Sequence, residues 1–390
     1  VYVEKLRPFM DKNLIKVLTG QRRVGKSYLL YQFMETILME NPTAHIIYIN
    51  KEDLAFDFIR TAVDLNEYVQ QKRKPGTRNY IFIDEIQEIV EFEKALRSLL
   101  LDELNDLYIT GSNAKMLSGE LATYLSGRYF ECSVYSLSYS EFLVFHKLVD
   151  DDHSLDLYTR FGGLPYLINL PLGNEAFEYI NALYSTIVYR DVVSRYNVRS
   201  TDFLERLLLF LADNIGSQFS AKKISDFLKS QRVNIAPNQV MQFSSYLASA
   251  YIVHEVGRFD LIGKRIFEIG SKFYFENTGI RNSITGYAIK DRGKLMENIV
   301  FNQLLYMGYE VKTGTMDGRE IDFVADRRGE RLYVQVAAEL TKQETIDREF
   351  GNLLAIPDNY PKIVVSGDQF TGNTYEGVQH MHIREFLKQE

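Results

Sequence analysis

The chain has 390 residues, 46% hydrophobic and 25% charged, which excludes disordered, collagen-like and disulfide-stapled proteins and predicts two to three domains, each with its own core. Lys plus Arg number 45 against 52 Asp plus Glu, and the net charge of −7 excludes a protein held on nucleic acid by bulk charge while leaving room for a local basic patch. The single cysteine, Cys132, cannot close an internal disulfide and fits a reducing, cytoplasmic setting.

The densest apolar run, Leu207 to Ala212, stops at Asp213 and is too short for a bilayer, so no membrane partner is expected. Glu4, Lys5 and Arg7 have no apolar core behind them, against a signal peptide. Val1 stands where a methionine is expected, as in a chain with a trimmed or missing lead segment.

Residues 1–145 alternate strand and helix. The runs Leu14–Leu18, Ile46–Ile49, Tyr80–Ile83, Leu107–Ile109 and Tyr129–Val134 read as buried strands, with helices such as Tyr28–Met39 and Phe92–Leu101 between them. That alternation predicts a parallel sheet covered on both faces. One helix is expected in residues 53–78, which end in a charged loop broken by Pro75 and Gly76.

Within this block, Gly20-Gln21-Arg22-Arg23-Val24-Gly25-Lys26-Ser27 fits G-x-x-x-x-G-K-[ST] at every fixed position. It follows a strand ending at Thr19 and leads into a helix at Tyr28, so the segment from Gly20 to Tyr28 is the expected nucleotide cradle. Glycines let backbone N–H groups turn inward around phosphate oxygens, and the helix N-terminus adds partial positive charge. Lys26 would reach the β- and γ-phosphates of ATP, and the Ser27 hydroxyl would ligate Mg²⁺. Arg22 and Arg23 read as solvated loop charges, with phosphate contact from within the loop as the alternative.

The strand Tyr80–Ile83 ends in Asp84 and Glu85, at the sheet edge where open α/β sheets bind ligands. Asp84 is suited to hold Mg²⁺, and Glu85 to deprotonate the attacking water. The next strand ends in Thr110-Gly111-Ser112-Asn113, where Asn113 or Ser112 would sense the γ-phosphate. Arg128, after Gly127, reads either as an arginine finger, in its own or a neighbouring subunit, or as a surface arginine.

Residues 146–290 read as mostly helical. Phe203–Ile215, Ala221–Lys229 and Pro237–Ser249 are helices, with Ser220 as an N-cap and Pro237 opening the third. Short strands follow at Tyr251–Val256, Arg265–Ile269 and Lys272–Glu276, the outline of a winged helix-turn-helix. Residues 203–290 hold 11 Lys and Arg against 7 acids, which supports contact with a phosphate backbone. The third helix offers Asn238, Gln239, Gln242, Ser244 and Ser245 but no cation, so DNA contact and a protein-contact or lid role both stay open.

Residues 291–390 read as helix Lys294–Met307, strands Glu310–Thr313, Glu320–Ala325 and Leu332–Ala337, helix Thr345–Ala355 and strand Lys362–Val365. Among six histidines, His380 and His382 have strand spacing but no acid or cysteine partners, and read as ordinary surface residues.

The run GQRRVGKS, the IDEIQ strand end, the TGSN turn and the later SGR resemble the AAA-superfamily, archaeal-ATPase-like ATP-binding proteins of bacteria. Phe161-Gly162-Gly163-Leu164-Pro165, Lys272-Phe273-Tyr274-Phe275 with Thr278-Gly279, and Arg319-Glu320-Ile321-Asp322-Phe323 resemble landmarks of their C-terminal region. That resemblance implies ATP binding and hydrolysis, a winged helix and a restriction-endonuclease-like domain. Such nucleases need a Glu on a helix, an Asp on one strand and Glu-x-Lys on the next. Glu297 and Asp322 fit, but the third element reads Gln335-Val336-Ala337, so this domain is expected to be inactive; Asp317, Glu320 and Asp326 read as turn and surface acids.

The expected protein is therefore an α/β P-loop ATPase domain (1–145), a helical linker and winged-helix domain (146–290) and a degenerate nuclease-like domain (291–390). Its nucleotide state would move the winged helix and the nuclease-like domain. Its partners would be ATP with Mg²⁺, DNA through the winged helix, and a protein or a second copy. An ATP-switched DNA-binding regulator and an ATP-dependent DNA-processing nuclease are the alternatives; a small-molecule kinase lacks an acceptor signature.

Overall fold

The computed structural model describes residues 1–114, 125, 127–261, 263, 270–368 and 374–389. The chain forms two units, Val1–Tyr135 with Ser249–Tyr251, and Ser136–Ala248 with Ile252–Glu390.

In the first unit, β1 (Ile15–Thr19), β2 (His45–Asn50), β3 (Asn79–Asp84), β4 (Asn105–Gly111) and β5 (Tyr129–Ser133) form one sheet in the order β2-β3-β4-β1-β5. Every pairing is parallel. The helices are α1 (Tyr2–Leu6), α2 (Lys26–Glu40), α3 (Ala62–Lys72) and α4 (Phe92–Leu99). Strand alternation divides the core. Ile81 and Ile83 pack with Leu65 and Val69 of α3 and Leu96 and Leu99 of α4. Tyr80 and Phe82, one residue out of phase, pack with Leu30, Phe33 and Ile37 of α2. Strands buried on both faces carry unbroken apolar runs, the pattern the sequence displays. Thr61 and Asp64 close a capping box that starts α3.

One expected strand of this sheet buries a charged residue completely. Lys16 on β1 is fully buried and pairs with Asp106 on β4. Asp106 also accepts from the Tyr108 hydroxyl at 2.8 Å, and the Lys16 ammonium sits 5.0 Å from that ring's centroid. Burial pulls the Lys16 pKa down against the pull of Asp106.

The second unit opens with α5 (Tyr139–His146), α6 (Asp152–Phe161) and α7 (Asn174–Thr186), which runs into a π-helical stretch, Ile187–Ser194. Next come α8 (Thr201–Asp213), α9 (Ala221–Ser230) and α10 (Pro237–Ser249), then β6 (Val253–Asp260) antiparallel to β7 (Ser271–Phe275). Ser220 caps α9 by accepting from Lys223 N at 3.3 Å. The expected strand Arg265–Ile269 lies outside the described residues. After α11 (Thr278–Thr285) and α12 (Arg292–Tyr306) follow β8 (Glu310–Met316), β9 (Arg319–Arg327), β10 (Glu330–Ala337), α13 (Gln343–Leu354), β11 (Lys362–Ser366), β12 (Thr374–Tyr375), β13 (Val378–His382) and α14 (Ile383–Phe386). These strands and the β6–β7 hairpin share one eight-stranded sheet, because β6 pairs in parallel with β8.

The glycine landmarks are packing devices. A Cβ on Gly162 (φ +69°) would lie 2.3 Å from Asn277 Oδ1, and one on Gly279 would lie 2.0 Å from the Phe161 carbonyl. The Phe161–Pro165 segment and the cap of α11 thus approach closer than any side chain allows. His380 corrects the surface reading: it is buried on β13 and bonds the Ser366 hydroxyl at 2.8 Å. Among the described residues, no helix is long and apolar enough to cross a membrane.

Candidate active site

β1, β4 and β3 are parallel neighbours, so their C-terminal ends share one edge of the sheet. The loop after β1 turns at Gly20, where a Cβ would fall 2.1 Å from the Val134 carbonyl, so only glycine fits. Gly25 (φ +104°) then delivers the chain into α2. Lys26 begins that helix, and its buried ammonium donates to the carbonyls of Gly20 and Gln21, each at 2.9 Å. These are neutral acceptors inside the loop, which an anion can replace.

The Ser27 hydroxyl bonds Asp84 at the end of β3. The Thr110 hydroxyl from β4 donates to Asp84 and accepts from the Glu85 amide at 2.8 Å. Burial pushes the Asp84 carboxyl up, against the hydroxyls of Ser27 and Thr110. A buried carboxylate beside a serine hydroxyl is an oxygen donor set suited to Mg²⁺, so the residues present fit that ion. Among the described residues, no three of His, Cys, Asp and Glu are grouped to hold a metal by themselves.

Glu85 takes a left-handed backbone conformation (φ +57°), which turns its side chain out of the strand's alternation. Its Oε2 accepts from Gln87 and, at 3.2 Å, from the Ser112 hydroxyl. Burial raises the Glu85 pKa, but the charges of Lys26 and Arg22 and these two bonds outweigh it and hold the carboxyl below its usual range. Glu85 is therefore held as an ionised carboxylate, whose oxygens accept hydrogen bonds.

The other expected residues divide. Ser112 meets Glu85, and Asn113 is buried beside it in sequence. Arg23 and Tyr28 are exposed, while Val24 packs under the loop. Arg22 departs from the solvated reading, being 6% exposed and 3.0 Å from Glu52. Arg128 is not at this site within its own chain. It precedes β5, whose Tyr129 lies opposite Ile15 at the start of β1. About 16 Å of strand, at roughly 3.3 Å per residue, separates it from the loop. Thr110 and Gln87, which tie the two acids in place, had no role in the sequence reading; the hydroxyl at the end of the strand beside β3 was the available signal for Thr110.

In the second unit, Glu297 on α12 and Asp322 on β9 lie near one another, as their spacing on the elements requires. Sequence reasoning missed Lys272 on β7, which bonds Glu297 at 3.2 Å and Glu320 at 2.6 Å. Glu320 is thus no free surface acid, whereas Asp326 makes a surface pair with Arg331.

Residues 12–143 match the family model described as an AAA domain, and residues 152–290 match a domain of unknown function. An uncharacterised protein of Haemophilus influenzae is 34% identical over 396 residues, covering 100% of this chain and 98% of its own length. An uncharacterised protein of Methanocaldococcus jannaschii is 30% identical over 346 residues, covering 85% of this chain and 76% of its own. Among solved structures, the Aeropyrum pernix ORC1 protein in complex with DNA aligns at a TM-score of 0.34 and 12% identity, over 73% of this chain and 91% of that one. The first unit is thus an AAA-superfamily P-loop domain, on its parallel sheet, its loop and the matching model. The whole chain belongs to the family of these uncharacterised bacterial and archaeal proteins.

Proposed function

We propose that this chain binds MgATP at residues 20–28 and hydrolyses it. The observation that carries the reading is the convergence of Lys26, the Ser27–Asp84 pair and Glu85 on one edge of a parallel sheet. Lys26 exchanges its two carbonyl partners for phosphate oxygens, at little cost because both are neutral. Ser27 and Asp84 hold Mg²⁺, which draws charge off the phosphates when bound. Glu85 orients a water and takes its proton, while Ser112 and Asn113 respond to the terminal phosphate.

Three parts, 1–145, 146–290 and 291–390, then respond to nucleotide state, the winged helix and the nuclease-like part moving with it in the cytoplasm. Arg128 serves only a neighbouring subunit, if copies assemble. A DNA-binding role for the middle part is favoured by Lys222, Lys223 and Lys229, all exposed on α9. The nuclease-like part is read as inactive, because its third element offers the neutral Gln335 and, at Ala337, no lysine. ATP turnover of the full chain, measured with and without DNA or RNA, tests the reading: stimulation joins the parts, and absence of any turnover rejects the ATPase.

A further inference from the structure

The loop after β1 carries Arg22 and Arg23 side by side, and the structure separates them. Arg23 takes a left-handed backbone conformation (φ +68°) and its side chain stands in solvent. Arg22 turns inward and is 6% exposed. A guanidinium that deep needs anionic or polar partners, because burying its charge alone is costly.

The sheet places one such partner. β2 and β3 pair in parallel up to Asn50 opposite Asp84, and Lys51 N donates to the Asp84 carbonyl at 3.2 Å. Asn50 Oδ1 accepts from the Glu52 amide at 2.9 Å, which folds the chain into a turn just past the end of β2. From that turn the Glu52 carboxylate accepts from Arg22 Nη1 at 3.0 Å. The Arg22 guanidinium therefore lies at the edge of the sheet where β3 delivers Asp84 and Glu85. Glu85 feels its charge together with that of Lys26. The Lys26 ammonium rests on the carbonyls of Gly20 and Gln21, the residues just before Arg22, so both cations border one stretch of the loop.

The Arg22–Glu52 pair is uneven. Glu52 is 41% exposed against 6% for Arg22. Water can replace the arginine beside Glu52, so that carboxylate gives up its partner at little cost. Arg22 has less access to water and is better served by exchanging one anion for another. A terminal phosphate arriving between Lys26 and Glu85 is such an anion.

We propose that Arg22 is a catalytic residue that leaves Glu52 for the γ-phosphate of ATP and stabilises the charge that builds there during hydrolysis. This role rests on the MgATP reading above and supplies, within one chain, the arginine that Arg128 cannot, since Arg128 sits beside the start of β1. In the step, a water oxygen bonds to the γ-phosphorus while the bond from that phosphorus to the oxygen it shares with ADP breaks, and the water's proton passes to Glu85. Nothing is oxidised or reduced. The planar guanidinium offers a fork of N–H groups to the phosphate oxygens, and the transition state, with its charge spread over the terminal and leaving oxygens, gains more from them than bound ATP does. Glu52 holds the side chain in place between turnovers.

The test follows ATP turnover by the full chain with Mg²⁺, and nucleotide binding by calorimetry. Arg22→Ala should lose turnover by roughly 10³- to 10⁵-fold, the usual worth of such an arginine. Arg22→Lys, which keeps the charge but not the fork, should lose most of it too. Both should bind ADP as the native chain does, yet fail to bind ADP with aluminium fluoride, a mimic of the phosphoryl group in transfer. Free guanidinium should restore part of the turnover of Arg22→Ala. Glu52→Gln should lower the KM for ATP, because Arg22 no longer leaves a charged partner. Equal binding of ADP with aluminium fluoride by the native and Arg22→Lys chains, or turnover by Arg22→Ala close to the native rate, overturns the proposal and leaves the ATPase reading intact. Loss of ADP affinity in Arg22→Lys also overturns it, since Arg22 would then only shape the loop. If Arg22→Ala fails to fold by circular dichroism, Arg22→Lys decides alone. A native chain without any turnover rejects the ATPase reading, and the role of Arg22 with it.

Discussion

Two buried lysines, one in each unit, are held in opposite ways. Lys26 rests on two backbone carbonyls, which are neutral, while Lys272 rests on Glu297 and Glu320, which are charged. A lysine whose hydrogen bonds go to neutral acceptors can exchange them for the oxygens of an arriving phosphate, with its charge felt by Asp84 and Glu85 at the same edge. A lysine on carboxylates is already neutralised and fixed, and its pKa is driven up because the three nearby acids outweigh burial. The first arrangement suits capture of an anion, and the second ties β7 to α12 and β9.

The largest expected effects test the capture side. Glu85→Gln should still bind ATP but lose turnover by roughly 10²- to 10⁴-fold, the usual worth of a general base. Lys26→Ala should lose nucleotide binding, read by calorimetry. If Glu85→Gln turns over at the native rate, the proton acceptor lies elsewhere.

The next prediction separates the two lysines by stability. Lys272→Met leaves the partly buried Glu297 without its cation, with the half-exposed Glu320 beside it, and should cost about 3 kcal/mol in denaturant unfolding. Lys26→Met frees two carbonyls and should cost only about 1 kcal/mol. Equal losses would mean that the nature of the partners does not matter. Lys16→Met offers an internal control, since it strands Asp106 within the first unit and should also cost about 3–5 kcal/mol.

The same contrast explains what was legible in the sequence. The nucleotide cradle is contiguous from Gly20 to Tyr28, and the acids at Asp84 and Glu85 end an apolar run, so strand, turn and charge are readable side by side. The five parallel strands followed for the same reason: unbroken runs such as Tyr80–Ile83 are what burial on both faces demands. Helices α5 to α7 left a weaker trace, and β13 less still, because Gln379, His380 and His382 dilute its apolar pattern. The role of Lys272 was invisible in principle. Its partners Glu297, Glu320 and Asp322 come from other elements, and only the pairing of β7 into the large sheet brings them within reach. Arg128 shows the opposite case within one chain: it lies beside the right strand, at the end away from the loop.

The smallest effect is the most discriminating for the second lysine's surroundings. Asp322→Asn removes a buried carboxyl whose charge burial and Glu297 disfavour, while the amide oxygen can still accept from Val336, so the variant should be more stable than the native chain by about 1 kcal/mol near neutral pH. The gain should grow as pH rises above the unfolded carboxyl's range, because the native carboxyl is pushed up and resists losing its proton while the amide has none to lose; a gain that stays flat with pH in denaturant unfolding would mean that burial beside Glu297 does not disfavour the Asp322 charge.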